Sequence, residues 1–163
     1  MFDQRGQNST HGGGNQRDYA DKRQNPPANF KLELYEGNDK SRIKFDLFDK
    51  QAEEAAKEIV KEGKKKINKM NQIRIFYSQF IVLNEKVNSL EDNFRKQLPY
   101  IKMIKSRAKY SKGRKNIGDY FENFLIQCVD EINTLEDFKL VCNFFESVVG
   151  FATYYDKEEI GVN

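Results

Sequence analysis

The feature that most limits the fold is a run of apolar residues spaced for one face of a helix. Seven apolar side chains follow alternating steps of three and four residues: Ile73, Phe76, Phe80, Leu83, Val87, Leu90 and Phe94. This spacing places all seven on one stripe of an α-helix, which must be buried against other elements. The pattern predicts a helix over about residues 69–96 and partner helices that cover its seam.

Weaker versions of the same pattern predict four further helices. Asp46 is a candidate N-cap for the first, and Thr134 with Asp137 three residues later forms a variant of the capping box that starts the fifth. No strand is expected after residues 31–35. The sequence therefore predicts an all-α fold, a single compact bundle of about five helices. The expected bounds are 46–62 for the first helix, Pro99 to about Lys112 for the third and about 118–132 for the fourth.

The N-terminal part of the chain has a different composition. Residues 1–29 are rich in Gly, Asn, Gln, Ser and charge, and such a segment buries too little apolar surface to offset its ordering entropy. Residues 30–36 alternate apolar and polar positions, which fits a short strand or a docking peptide. We therefore expect a disordered extension over residues 1–42, a helical bundle over 43–156 and a flexible C-terminus over 157–163.

Other sequence features bear on the compartment and on catalysis. Cys128 and Cys142 lie in apolar helical patterns, which is typical of core thiols in a reducing cytoplasm. No apolar run is long enough to cross a membrane, and the first residues do not resemble a signal peptide. The single histidine, His11, lies in the N-terminal extension, and no phosphate loop or paired acids are found. We expect a cytoplasmic protein that is not an enzyme and needs no cofactor or metal.

Charge is sorted along the chain although the total is only +3. Residues 63–118 contain fifteen Lys or Arg against three acids, a net of +12, whereas residues 119–163 contain two against ten, a net of −8. Nine cations and no acid lie between Asp92 and Asp119. Concentrated positive charge of this kind is typical of proteins that bind a polyanion.

The third predicted helix divides its cations between two stripes. At 100° per residue, Lys102, Lys105, Lys109 and Lys112 fall within about 80° of each other, beside an apolar strip of Ile101, Ile104 and Ala108. Arg107 and Arg114 lie on a separate stripe with Tyr110 between them. Lysine offers flexible point charges to phosphates, and arginine can bind a phosphate bidentately or stack on a base.

We call the nine cations between Asp92 and Asp119 the basic block, and three interpretations of it stay open. Nucleic acid is the favoured partner, because nine cations without an acid repel each other unless an anion binds them. An adaptor that binds an acidic protein or an anionic membrane surface is the alternative function, and a solvated face without a partner is the third. Arg74 has a competing structural interpretation, since it adjoins the long seam and could pair with an acid of a neighbouring helix.

Three stretches of the chain resemble one known family, the small subunit of the type III-A CRISPR effector (Csm) complex. Residues 69–77, KMNQIRIFY, are similar to the family's Gln-x-Arg-x-Phe/Tyr motif, and residues 107–114, RAKYSKGR, to its Lys/Arg-x-x-Tyr-x-x-Gly-Arg segment. Residues 138–151, FKLVCNFFESVVGF, resemble its closing helix, although Ser147 and Gly150-Phe151 replace an expected Ala and Ala-Tyr. The likeness spans about residues 46–155.

The resemblance implies a small, non-catalytic helical subunit in antiviral defence. Several copies of it would line the inner filament of a ribonucleoprotein, beside other Csm subunits, and hold the guide RNA and its target RNA. A membrane partner is not expected under this interpretation. The resemblance and the charge pattern together give these candidate RNA-binding residues: Lys69, Arg74, Lys102, Lys105, Arg107, Lys109, Lys112, Arg114 and Lys115.

Overall fold

The computed structural model describes residues 29–64 and 66–160. These ranges contain five α-helices, so the predicted all-α class and the bundle of about five helices are confirmed. The predicted disorder of residues 1–28 and flexibility of 161–163 lie outside the described residues. The helices are α1 (Ala52–Gly63), α2 (Met70–Val87), α3 (Glu91–Gly113), α4 (Asp119–Asp130) and α5 (Leu135–Ile160).

The packed region begins upstream of the expected boundary at residue 43. Phe30, Leu32 and Leu34 are buried, and the Phe30 ring lies 5.1 Å from the ring of Phe124 and 6.1 Å from that of Phe144. The alternation of residues 30–34 therefore reflects apolar side chains that dock on α4 and α5. At the other end, α5 includes residues 157–160, which the sequence analysis assigned to a flexible terminus.

A short β-hairpin follows the docked segment. Strand β1 (Tyr35–Glu36) pairs antiparallel with β2 (Asp39–Ile43), and Gly37 occupies the turn with φ +57°. The expectation that no strand follows Tyr35 is wrong at β2. All five residues of β2 are exposed, so the strand lacks the apolar alternation by which a strand is recognised in a sequence.

Three predicted helix bounds differ from the structure: one predicted helix is divided in two, and two helices begin at other residues than expected. The expected helix 69–96 is interrupted, because Asn88 and Ser89 have φ of +46° and +56° and end α2 in a left-handed conformation. Pro99 lies inside α3, not in its first turn. At the first helix, Asp46 makes no side-chain cap bond, and a π-helical turn (Leu47–Gln51) precedes α1.

The core lies between α5 and the helices packed on it. Helix α5 contacts α1 and α2, while α4 packs against α3. Phe121, Phe124 and Phe145 are fully buried, and the Phe124 and Phe145 rings meet edge to face at 5.2 Å. Cys128 and Cys142 are buried free thiols, which confirms the prediction of core cysteines, and burial raises the pKa of Cys142 to about 12.

The predicted capping box at the start of α5 is confirmed. The Asp137 amide donates to Thr134 Oγ1 at 3.1 Å, and the Thr134 amide donates to Asp137 Oδ2 at 2.9 Å. Tyr35 also donates its hydroxyl to Asp137 Oδ1 at 2.6 Å, which ties β1 to this helix. Burial opposes ionisation of Asp137, but these hydrogen bonds outweigh it and hold its pKa below the ordinary value.

A polar clasp joins the α1–α2 connector to the α3–α4 loop. The clasp consists of Glu62, Asn68 and Gly118. Asn68 Nδ2 donates to Glu62 Oε2 at 2.6 Å, and the Gly118 amide donates to Asn68 Oδ1 at 2.8 Å. Glu62 also accepts the amides of Tyr120 and Phe121 at 2.9 and 3.2 Å, so it caps the N-terminus of α4 from 58 residues away.

Candidate nucleic-acid interface

The four lysines predicted to share a stripe do so, and the stripe faces α4. Lys105 pairs with Asp130 at 2.5 Å, Lys109 with Glu122 at 3.2 Å, and Lys112 with Asp119 at 2.5 Å. We call Lys102, Lys105, Lys109 and Lys112 the lysine stripe.

Lys102 has the most structural role in the lysine stripe. Its ammonium donates to the carbonyls of Val129 and Ile132 at 2.8 and 2.9 Å, where α4 ends. A cation at this end of a helix satisfies orphan carbonyls and complements the helix dipole. Burial lowers the pKa of Lys102, which is the cost of holding an ammonium between two helices.

These contacts correct one premise of the sequence analysis. The basic block was expected to need an external anion because no acid lies between Asp92 and Asp119. The anions come instead from the acidic segment that follows, since Asp119, Glu122 and Asp130 all lie on α4. Glu122 and Asp130 therefore each pair with a lysine of α3 within the chain.

The arginines predicted on a separate stripe lie on the opposite side of α3. Arg107 follows Lys105 by two residues, which places it about 160° away around the helix. Tyr100, Arg107 and Arg114 repeat every seven residues and are exposed, as is Tyr110. Arg114 Nη1 donates to the Tyr110 hydroxyl at 3.2 Å, and its guanidinium carbon lies 5.8 Å from the Tyr110 ring centroid.

A groove runs between this side of α3 and the antiparallel α2. Arg107 crosses it, because Arg107 Nη1 donates to Gln79 Oε1 of α2 at 2.7 Å. The groove has a volume of about 550 Å³. We call Tyr100, Arg107, Tyr110 and Arg114, together with this groove, the arginine–tyrosine face. Other groove-lining residues are Ser78, Val82, Leu83, Lys86 and Gln97.

The three remaining predicted residues lie outside the groove. Arg74 is exposed and forms no ion pair within the described residues, so its alternative role, pairing with an acid of a neighbouring helix, is not seen there. It lies about 140° from Gln79 around α2. Lys69 and Lys115 are brought together at one end of the bundle. Lys69 follows Asn68 and Lys115 precedes Asn116, and the Asn68 amide donates to the Asn116 carbonyl at 3.0 Å.

Of the residues that line the groove, only Arg107 was predicted as a site residue; Tyr100 and Lys86 show why the others were missed. Tyr100 shares the seven-residue spacing of Arg107 and Arg114, and this signal was present in the sequence. The third helix was expected to begin at Pro99, whereas α3 begins at Glu91 and places Tyr100 within the helix. Lys86 belongs to the groove through the antiparallel pairing of α2 and α3, which no local pattern shows.

Residues 29–64 and 66–160 hold no group of three or more His, Cys, Asp or Glu side chains placed to bind a metal. Among these residues there is also no helix that is long and apolar enough to cross a membrane.

The fold and the charge distribution define a small all-α bundle with a concentration of cations on α3, some paired with α4 and some exposed beside α2. The chain belongs to the Csm2 Type III-A family, whose sequence model matches residues 42–158. It is thus the small subunit of a type III-A CRISPR (Csm) complex and associates with other Csm subunits. Searches of curated proteins and of solved structures found no significant match.

Proposed function

We propose that this subunit is a non-catalytic RNA-binding component that holds guide RNA and target RNA through the arginine–tyrosine face. In this proposal several copies line the inner filament of the cytoplasmic Csm ribonucleoprotein. The observation that carries it is the division of cations on α3. The lysine stripe is engaged with α4, whereas Arg107 and Arg114 are exposed beside two exposed tyrosines.

The chemistry of this face suits a nucleic acid backbone. Arg107 and Arg114 lie about 10.5 Å apart along the helix axis, at 1.5 Å per residue, so both can contact one strand. Guanidinium groups bind phosphate bidentately, and exposed aromatic rings provide stacking surfaces that every base can use. Tyr100 and Tyr110 are 54% and 66% exposed, a large aromatic area for a monomer to leave in water.

The lysine stripe has a secondary place in this proposal. Lys109 keeps 68% of its side chain exposed, so it can still attract phosphate at a distance. Lys102 is committed to the end of α4 and is assigned to stability. Lys69 and Lys115 extend the positive surface at the clasp end of the bundle, and Arg74 extends it along α2.

A matched pair of double variants tests the proposal. Arg107→Gln with Arg114→Gln removes two charges from the arginine–tyrosine face, and Lys105→Gln with Lys112→Gln removes two from the lysine stripe. Fluorescence anisotropy with a labelled single-stranded RNA measures the affinity of each over a range of salt. Loss of two phosphate contacts should flatten the slope of log K against log salt by about 1.4 in the arginine variant.

The arginine variant should also bind at least about 10-fold more weakly, and the lysine variant should stay within about 3-fold of the wild type. Circular dichroism checks that both variants remain helical. Unchanged affinity in the arginine variant would refute the proposal. An equal loss in both variants would also contradict it, because net charge alone would then explain binding.

A further inference from the structure

The groove between α2 and α3 has polar groups that the fold does not use. Gln97 is half-buried and Lys86 and Tyr100 are exposed, and all three line the groove. Among the described residues none of these three side chains has a hydrogen-bond or ion-pair partner. The Gln97 amide is therefore open to a hydrogen bond from a ligand, because no side chain or backbone group of the described residues uses it.

The walls of the groove differ in chemistry. Leu83 is 7% exposed and Val82 is 47% exposed, so α2 supplies an apolar surface. Tyr100 supplies an aromatic ring from α3. A volume of about 550 Å³ lies within the range of roughly 300–1,000 Å³ that is usual for small-molecule sites. An apolar surface, a stacking ring and a few polar groups are the features that bind a planar heteroaromatic group.

Cations stand at both ends of the same groove. Lys86 lies near the last turn of α2, and Arg107 bridges to Gln79 on the other side of Tyr100. Because one guanidinium nitrogen of Arg107 is used by Gln79, its other N–H groups stay available to an anion. A planar group flanked by two anions is what a nucleotide within a strand presents.

We propose that this groove binds one unpaired nucleobase of RNA, stacked on Tyr100, with its flanking phosphates at Lys86 and Arg107. The Gln97 amide, which offers both a donor and an acceptor, faces the edge of the base. This inference rests on the proposed function and names its substrate class. A base inside a continuous duplex cannot enter the groove, so the subunit prefers RNA with unpaired nucleotides.

The test compares two tyrosines of similar exposure. Tyr100→Leu removes the ring from the groove, and Tyr154→Leu is the matched control, because Tyr154 is 57% exposed on α5. Anisotropy measures the affinity of the full-length chain for a single-stranded RNA, for its perfectly paired duplex, and for that duplex with one bulged 2-aminopurine. Quenching of 2-aminopurine fluorescence reports stacking directly.

Tyr100→Leu should weaken binding of single-stranded and bulged RNA by about 5- to 100-fold and abolish the quenching. Binding of the perfect duplex should change less than 2-fold, and Tyr154→Leu should have no effect on any RNA. Tyr100→Phe keeps the ring and should restore the quenching.

Two results separate this inference from the proposed function. If Tyr100→Leu binds every RNA like the wild type while the Arg107 and Arg114 double variant has lost affinity, the groove inference is wrong and the proposed function stands. If the arginine variant also binds normally, the proposed function fails and the groove inference fails with it. An equal loss of single-stranded and duplex RNA in Tyr100→Leu would also overturn the inference.

Discussion

The clasp makes a quantitative prediction, because Glu62 caps a helix that is distant in sequence. Its carboxylate accepts the amides of Tyr120 and Phe121, two of the N–H groups at the start of α4 that have no partner within the helix. Glu62→Ala removes both acceptors and the contact with Asn68. The substitution therefore removes contacts that hold the α1–α2 connector against the α3–α4 loop.

The expected cost follows from these bonds. Loss of a helix cap usually costs about 0.5–2 kcal/mol, and hydrogen bonds to a charged group contribute about 1.5–3 kcal/mol each. Glu62 is half-buried, so water replaces part of what is lost. We expect Glu62→Ala to lower the free energy of unfolding by about 2 kcal/mol, and Glu62→Gln to cost about half as much because one acceptor oxygen remains.

Gly118 provides an independent way to remove the same cap. A Cβ atom at residue 118 would collide with the Glu62 carboxylate, although the φ of −91° suits any residue. Gly118→Ala should therefore displace Glu62 and cost about 1–2 kcal/mol in the wild type. In the Glu62→Ala background the space is free, so the same change should cost less than about 0.5 kcal/mol.

The wild type, the two single variants and the double variant form a double-mutant cycle. Urea unfolding followed by far-UV circular dichroism measures the free energy of unfolding of each protein. The structure predicts a coupling energy of about 1–2 kcal/mol between residues 62 and 118. If the losses of the two single variants sum to the loss of the double variant within about 0.3 kcal/mol, the capping role of Glu62 is refuted. A Glu62→Ala protein as stable as the wild type would also refute it.

Three further predictions concern stability. Lys102→Met should lower the free energy of unfolding by about 1–3 kcal/mol, because the carbonyls at the end of α4 lose their donor. RNA affinity should stay within about 2-fold of the wild type, and a large loss of affinity would show that Lys102 contacts RNA. Phe30→Ala should cost about 3 kcal/mol in urea unfolding, and a cost near zero would contradict docking of residues 30–34. Asp137→Asn should destabilise at pH 7, because the hydrogen bonds that depress the Asp137 pKa favour its charged form. That stability is complete above the unfolded pKa of about 3.9 and is lost below it, so the two urea midpoints should converge as the pH falls below about 4.

Periodicity predicted the helices but not all of their ends. Six of the seven predicted seam residues are buried although α2 ends at Val87, since Phe94 is buried from within α3; Leu90, at the break, is 55% exposed against the prediction. A break that keeps the flanking residues in phase leaves no trace in the apolar pattern. Asn88-Ser89 was the available signal, because Asn tolerates the left-handed conformation that ends a helix.

Local capping could be predicted, whereas distant capping could not. Thr134 and Asp137 are three residues apart, and their reciprocal bonds follow from that spacing alone. Glu62 is separated from Tyr120 by 58 residues, so only the packing of α1 against α4 brings it there. The burial of Phe30 against α4 and α5 is also tertiary, and this explains why the domain boundary was set too late in the sequence.

The candidate site could be predicted only in part, again because some of its contacts come from distant parts of the sequence. The angular positions of the lysine stripe and of Arg107 and Arg114 on α3 follow from the helix repeat. The acids that neutralise Lys105, Lys109 and Lys112 come from α4, and a sequence does not show which helix lies beside which face. The distinction between paired and exposed cations is therefore a result of the structure.

The central claim is that RNA lies on the arginine–tyrosine face. Ultraviolet cross-linking of the assembled Csm complex, followed by mass spectrometry of this subunit's peptides, tests it most directly. We predict cross-links at Tyr100 and Tyr110 of α3, and their loss when Arg107 and Arg114 are both changed to Gln. Cross-links confined to α1 or α5, with none on α2 or α3, would contradict the account.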